Sequence, residues 1–171
     1  GLITHYFMKT QASKVGKVVY VGVPFGSGLS FLDDINNGSK VGLNKSILSV
    51  RALFSHPGSF ALLPHPGASL YKEQGLMAEQ TWINEKLSVY KNQENGGNNQ
   101  ILTSNINQAK QLFSALDKPV AMTNQFLFVI GNCQSTLARI DKDGQRIYEP
   151  GDGRVLASAA LPVEQEMIAK T

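Results

Sequence analysis

Apolar side chains at Leu2, Ile3, Tyr6 and Phe7 recur at helical spacing, and Lys9, Lys14 and Lys17 gather toward the far end of that stretch. The pattern predicts an amphipathic helix over 2–14, with cations where the helix dipole favours them and a close near Gly16. The pattern then changes. From Val18 to Val23 the chain runs VVYVGV, β-branched and aromatic almost throughout. A run with no polar alternation predicts a strand covered on both faces, as in a parallel sheet. A helix, a short joint and a strand make half of a βαβ unit.

From 25 to about 118 no strand pattern stands out. Helical patterns occupy 45–54 (KSILSVRALF), 78–90 (AEQTWINEKLSVY) and 104–116 (SNINQAKQLFSAL), separated by the breaker-rich stretches HPGSF, LPHPGAS and Gln93 to Gln100. In the last helix Ile106, Ala109, Leu112, Phe113 and Leu116 share one face, and Lys118-Pro119 ends it. A second apolar strand, QFLFVIGN, spans 125–132. Asp143-Gly144 then sits between short apolar-polar runs over 139–148, which predicts a hairpin. VEQEMIAK reads as a helical tail, and no internal repeat occurs. The expected class is α/β, in three parts: 1–24 and 119–171 as core, with 25–118 as a mostly helical insertion over a site.

Composition narrows the function classes. With 171 residues, 42% hydrophobic and 17% charged, the chain suits one globular domain. The net charge of +3 comes from 16 Lys and Arg scattered singly, without the clustering a nucleic-acid surface needs. Cys133 is the only cysteine, which excludes an intrachain disulfide and a cysteine zinc site. No apolar run reaches the ~20 residues of a membrane-spanning helix. The opening GLITHYFMKT does not read as a signal peptide, since it lacks a basic start and Lys9 closes its apolar stretch early. None of this assigns a compartment.

The loop after the first strand, GVPFGSG, fits neither phosphate template. Gly22, Gly26 and Gly28 are spaced G-x3-G-x-G rather than G-x-G-x-x-G, and no Lys-Ser/Thr pair follows. Ser27 stands between glycines, but the nucleophile elbow G-x-S-x-G occurs nowhere in the chain, so Ser27 reads as a turn residue. His5, His56 and His65 lack metal-ligand spacing, and no metal or cofactor is expected. Trp82 reads as core and Cys133 as a small buried hydrophobe. Asp152, in GDGRV, is flanked by glycines after the predicted hairpin. Such a tight turn could project a carboxylate that orients a histidine, or could be an ordinary Asp-Gly turn.

Taken in order, these segments resemble one family. GVPFGSG matches a strand ending in G-x-P-[FW]-x-G-[SG], and SHPGSFALLP matches S-x-P-x-[SW]-x-x-L-L-P. LFSAL matches L-[LF]-x-x-L, FLFVIGN is a strand ending in Gly, and YEPGDGRV matches Y-x-x-G-D-G-x-V. The register is similar to that of the lecithin:cholesterol acyltransferase family, α/β-hydrolases that move or hydrolyse lipid acyl groups, over residues 1 to 160.

The resemblance implies a partial α/β-hydrolase fold: the later strands of its parallel sheet, with 25–118 as part of the cap. It implies that Asp152 is the triad acid and that Pro24, Phe25, Gly26 and Ser27 shape a loop beside the acyl site. GLITHYFM resembles the helix that follows the family's H-S-x-G-G elbow. The nucleophilic Ser would then lie just before Gly1, and the triad His would follow Asp152, yet no histidine occurs after His65. Arg154 stands where the family commonly has Thr. The expectation is a segment of a serine-dependent lipid acyl hydrolase or O-acyltransferase, inactive alone, with a lipid ester as substrate. The first strand's open edge would then pair with the rest of the same protein or drive self-association. A non-catalytic hydrolase-like module that binds a lipid or protein is the alternative, and a nucleotide-binding α/β domain is disfavoured by the glycine spacing.

Overall fold

The computed structural model describes residues 1–41, 44–92, 98–118 and 126–162. The chain opens with α1 (Leu2–Gln11), continued by a 3-10 turn at Ala12–Lys14, and then enters β1 (Val18–Val21). The first of the insertion's elements are α2 (Leu32–Asn37), β2 (Ser39–Val41), β3 (Asn44–Leu48), α3 (Val50–Ser55) and α4 (Pro57–Phe60). They are followed by α5 (Glu79–Asn84), a 3-10 turn at Ser88–Asn92 and the long α6 (Asn98–Leu116). The chain returns through β4 (Phe126–Val129), β5 (Gln134–Ile140) and β6 (Arg146–Gly151).

β1 and β4 form a two-stranded parallel sheet, in register from Val18 opposite Phe126 to Val21 opposite Val129. The fold is therefore mixed α/β with a small parallel sheet. Its strands are far apart in sequence because the whole insertion lies between them. On one face Val18 and Tyr20 are buried with Met8, Val23 and Phe25, and Phe126 and Phe128 pack against them. Tyr20 stacks beside the rings of Phe126 and Phe128, with centroids 6.1 and 5.4 Å away. Both-face burial is not observed. Val19, Val21, Leu127 and Val129 point to the opposite face and are exposed, Val21 by 65%, because no described element lies over them.

α1 shows the same asymmetry. It docks on the sheet through His5 and Met8, whereas Ile3, Tyr6 and Phe7, three of the four residues that defined its predicted apolar face, stay exposed. The helix is where the periodicity places it, but the side turned to the described core is a different one.

A second, larger core fills the insertion. Phe54, Phe60, Trp82 and Tyr90 cluster with ring centroids 5.2 to 6.2 Å apart. Leu102, Ile106, Ala109 and Phe113 of α6 seal it from one side, and Leu137 joins it from β5. Trp82 satisfies its indole N–H on the Leu76 carbonyl at 2.7 Å.

Several insertion elements depart from the sequence pattern. The stretch 45–54, expected as one helix, is a strand followed by a helix: β3 pairs antiparallel with β2, and Ser49 breaks the chain at ψ 161° before capping α3 through the Ala52 N–H. HPGSF, expected as loop, folds as α4, because Pro57 occupies the first turn and His56 Nδ1 accepts the Gly58 N–H. The helix expected over 78–90 stops at Asn84. Lys86 turns left-handed (φ 51°) and the Leu87 N–H closes on the Trp82 carbonyl. α6 begins at Asn98, ahead of the expected 104. The expected hairpin forms and is longer than its signal, with β5 and β6 antiparallel and Gly144 left-handed at φ 83°. The tail 163–170 lies outside the described residues.

Candidate functional site

β1 runs straight into a bend at Gly22, β4 is followed two residues on by Gly131, and the turn after β6 brings Asp152 against both glycines. Gly22 is left-handed at φ 54°, and a Cβ there would stand 2.9 Å from Asp152 Oδ2. A Cβ on Gly131 would come within 2.7 Å of Asp152 Cβ. Only bare backbone lets the carboxylate sit this close to the C-terminal ends of two parallel strands, where α/β sheets place their ligands.

The turn is built to hold that carboxylate. Asp152 Oδ1 accepts the N–H groups of Arg154 (2.8 Å) and Val155 (2.7 Å), while its own N–H donates to the Val155 carbonyl at 3.1 Å. Gly153, at φ 92°, donates its N–H to the buried Thr136 Oγ1 at 2.9 Å. One carboxylate oxygen is thus saturated by backbone, and the other is turned toward the strand ends. A carboxylate that must orient a basic partner needs this division of labour.

Gly22 also lines an apolar cleft of about 490 Å³, together with Gly1, Leu2, Ile3, Val21, Val23 and Pro24 on the core side and Gly58, Ala61, Leu62 and Leu112 on the insertion side. Its volume falls in the range of small-molecule sites. Gly1 packs so closely on Val23 that a Cβ would fall 2.4 Å from Val23 Cγ2. The first turn of α1, whose N–H groups lack intrahelical acceptors, therefore opens at the cleft beside the end of β1.

Of the four loop residues singled out from sequence, Pro24 lines the cleft. Phe25 turns inward, its ring 5.0 Å from His5 and 5.2 Å from Tyr20. Gly26 donates its N–H to the Ala159 carbonyl at 2.8 Å, and Ser27 Oγ accepts the His65 N–H at 2.9 Å. The last two are joints that fix the loop to the acid segment and to the insertion. Gly22, Gly131, Thr136 and Leu62 had no role assigned from sequence. The two glycines stood at strand ends, which is a legible signal. Thr136 carried none.

The histidines are held in other settings. His5 is buried, with Nδ1 3.5 Å from the Tyr20 hydroxyl. His65 lies 4.2 Å from the Phe113 ring, and its Nδ1 is 3.6 Å from Asp117 Oδ1. Burial pushes the His65 pKa below its ordinary 6.5, outweighing the opposite pull of Asp117 and of the Phe25 backbone. Cys133, expected buried, is exposed and donates to Asn132 Oδ1 at 3.3 Å, because it follows the end of β4 rather than lying within it. Among the described residues no three His, Cys, Asp or Glu side chains form a metal-ligand set, and no helix is long and apolar enough to cross a membrane.

Comparison with known proteins returns no match to any family model, curated protein or solved structure.

Proposed function

We infer that the chain carries the acid and part of the acyl-binding wall of a serine-dependent lipid acyl hydrolase or O-acyltransferase of the lecithin:cholesterol acyltransferase type. The observation that carries this reading is Gly22. One glycine both abuts Asp152 Oδ2 and lines the apolar cleft, which supports taking acid and cleft as parts of one site at the ends of the parallel strands. In the reaction a serine attacks the ester carbonyl, a histidine takes its proton, and Asp152 orients that histidine and stabilises its charged form. The ester C–O bond breaks as the histidine gives that proton to the departing alcohol; water or a second alcohol then attacks the acyl-serine, losing its proton to the histidine, which passes it to the released serine oxygen. The cleft offers the acyl chain Leu2, Val23, Leu62 and Leu112. In this reading the serine and the triad histidine lie outside residues 1–171, and the chain alone turns over no ester. The parallel sheet, its exposed apolar face and the mostly helical insertion are compatible with the later part of an α/β-hydrolase fold.

The residues encoded ahead of Gly1 test the reading: a serine in an elbow of the G-x-S-x-G type is expected there, and an unrelated sequence ends it. A non-catalytic module that binds an apolar ligand in the same cleft is the second reading. It draws on His65 being engaged by Asp117 and the Phe113 ring rather than presented to Asp152.

A further inference from the structure

Arg154, within the turn that Asp152 opens, ties that turn to the insertion. Its guanidinium donates to Asp34 Oδ2 and lies 4.7 Å from the Phe31 ring centroid, at the start of α2. The neighbouring Asp33 takes Arg146, the first residue of β6, which donates to both of its carboxylate oxygens, at 2.7 and 2.8 Å. Successive aspartates of one short helix thus hold an arginine at the start of β6 and another just beyond its end. The same segment is fixed to β5 by Leu29 N–H and Ser30 Oγ, both donating to the Leu137 carbonyl.

We propose that Arg154 is the positioning residue of the Asp152 turn, coupling the acid to α2 so that displacement of the insertion loosens the carboxylate. This rests on reading Asp152 as the acid. Arg154 has two links to the turn: its backbone N–H binds Asp152 Oδ1, and its side chain reaches Asp34. A pull on the side chain moves the backbone donor that fixes the carboxylate. An isolated half-exposed ion pair contributes little, but two Arg–Asp pairs and a ring contact converging on one helix restrict each other. Sequence gives a hint of this only as a departure, since Arg154 stands where the resembled family commonly has Thr.

Amide hydrogen exchange on the ¹⁵N-labelled chain reads the coupling, because the Arg154 and Val155 N–H groups are the ones bound to Asp152 Oδ1. Arg154→Gln and Asp34→Asn are each expected to speed exchange at Val155 by roughly fivefold. Amides of the Trp82 core should stay unchanged. Arg154→Lys, which still reaches Asp34 with a point charge, is expected to restore most of the protection. Val155 exchange at the wild-type rate in both Arg154→Gln and Asp34→Asn would overturn the proposal, and so would Arg154→Lys behaving like Arg154→Gln. The readout needs no turnover, so its failure is separate from a failure of Asp152 as the acid.

Discussion

Asp152 Oδ2 occupies the space that a side chain on Gly22 would need, 2.9 Å from where its Cβ would stand. The left-handed backbone at Gly22 and the closeness of the carboxylate are one constraint. Gly22→Ala must either strain the bend or push the acid aside. It is expected to lower the unfolding free energy by about 1–2 kcal/mol. Denaturation by urea measures this, and an unchanged midpoint would show that the bend accommodates a Cβ.

Thr136 is fully buried and holds the acid turn through the Gly153 N–H. Thr136→Val keeps the shape and removes the acceptor, leaving a backbone donor unpaired. A loss of about 1–3 kcal/mol is expected, with Thr136→Ser closer to wild type. Equal stability of the Val and Ser variants in thermal denaturation would remove the hydrogen bond from the account.

His65 makes stability depend on pH. Its folded-state pKa lies below the unfolded 6.5, so the unfolded chain binds the proton more readily. The stability it contributes is fully present above pH 6.5 and is lost as pH falls through the lower folded-state value. The urea midpoint should therefore drop between pH 7.5 and 5.5 by more in the wild type than in His65→Gln. Parallel midpoints in the two proteins would contradict this.

The exposed face of the parallel pair is a liability for the chain on its own. Val19, Leu127 and Val129 present an exposed apolar surface that Val21 continues to the mouth of the cleft. Val21→Lys with Leu127→Lys should reduce binding of a hydrophobic dye and self-association in sedimentation. Equal dye binding by the double variant would place the exposed apolar surface elsewhere.

Much of this arrangement was legible in sequence where one element answers to one local pattern. The β-branched run at Val18 and the FLFV run at Phe126 gave two strands. The Asp143-Gly144 pair gave the hairpin, and the spacing from Ile106 to Leu116 gave α6. What failed depended on partners. Nothing local says that Asn44–Leu48 pairs with Ser39–Val41 rather than continuing α3, or that Val19 and Val21 face outward. Asp152 could be picked from its glycine neighbours, but its company could not. Thr136, Asp34 and Leu62 come from segments remote from it in sequence, and only the closed chain brings them to one turn and one cleft.

The most direct test of the central claim is ester turnover by a polypeptide that joins residues 1–171 to their serine and histidine, with and without Asp152→Asn. A fall in kcat on the order of 10⁴-fold is expected, the scale of the corresponding change in a serine protease triad. Asp143→Asn in the exposed hairpin turn should leave kcat unchanged. Near-normal turnover in Asp152→Asn would contradict the account and remove Asp152 from the chemistry.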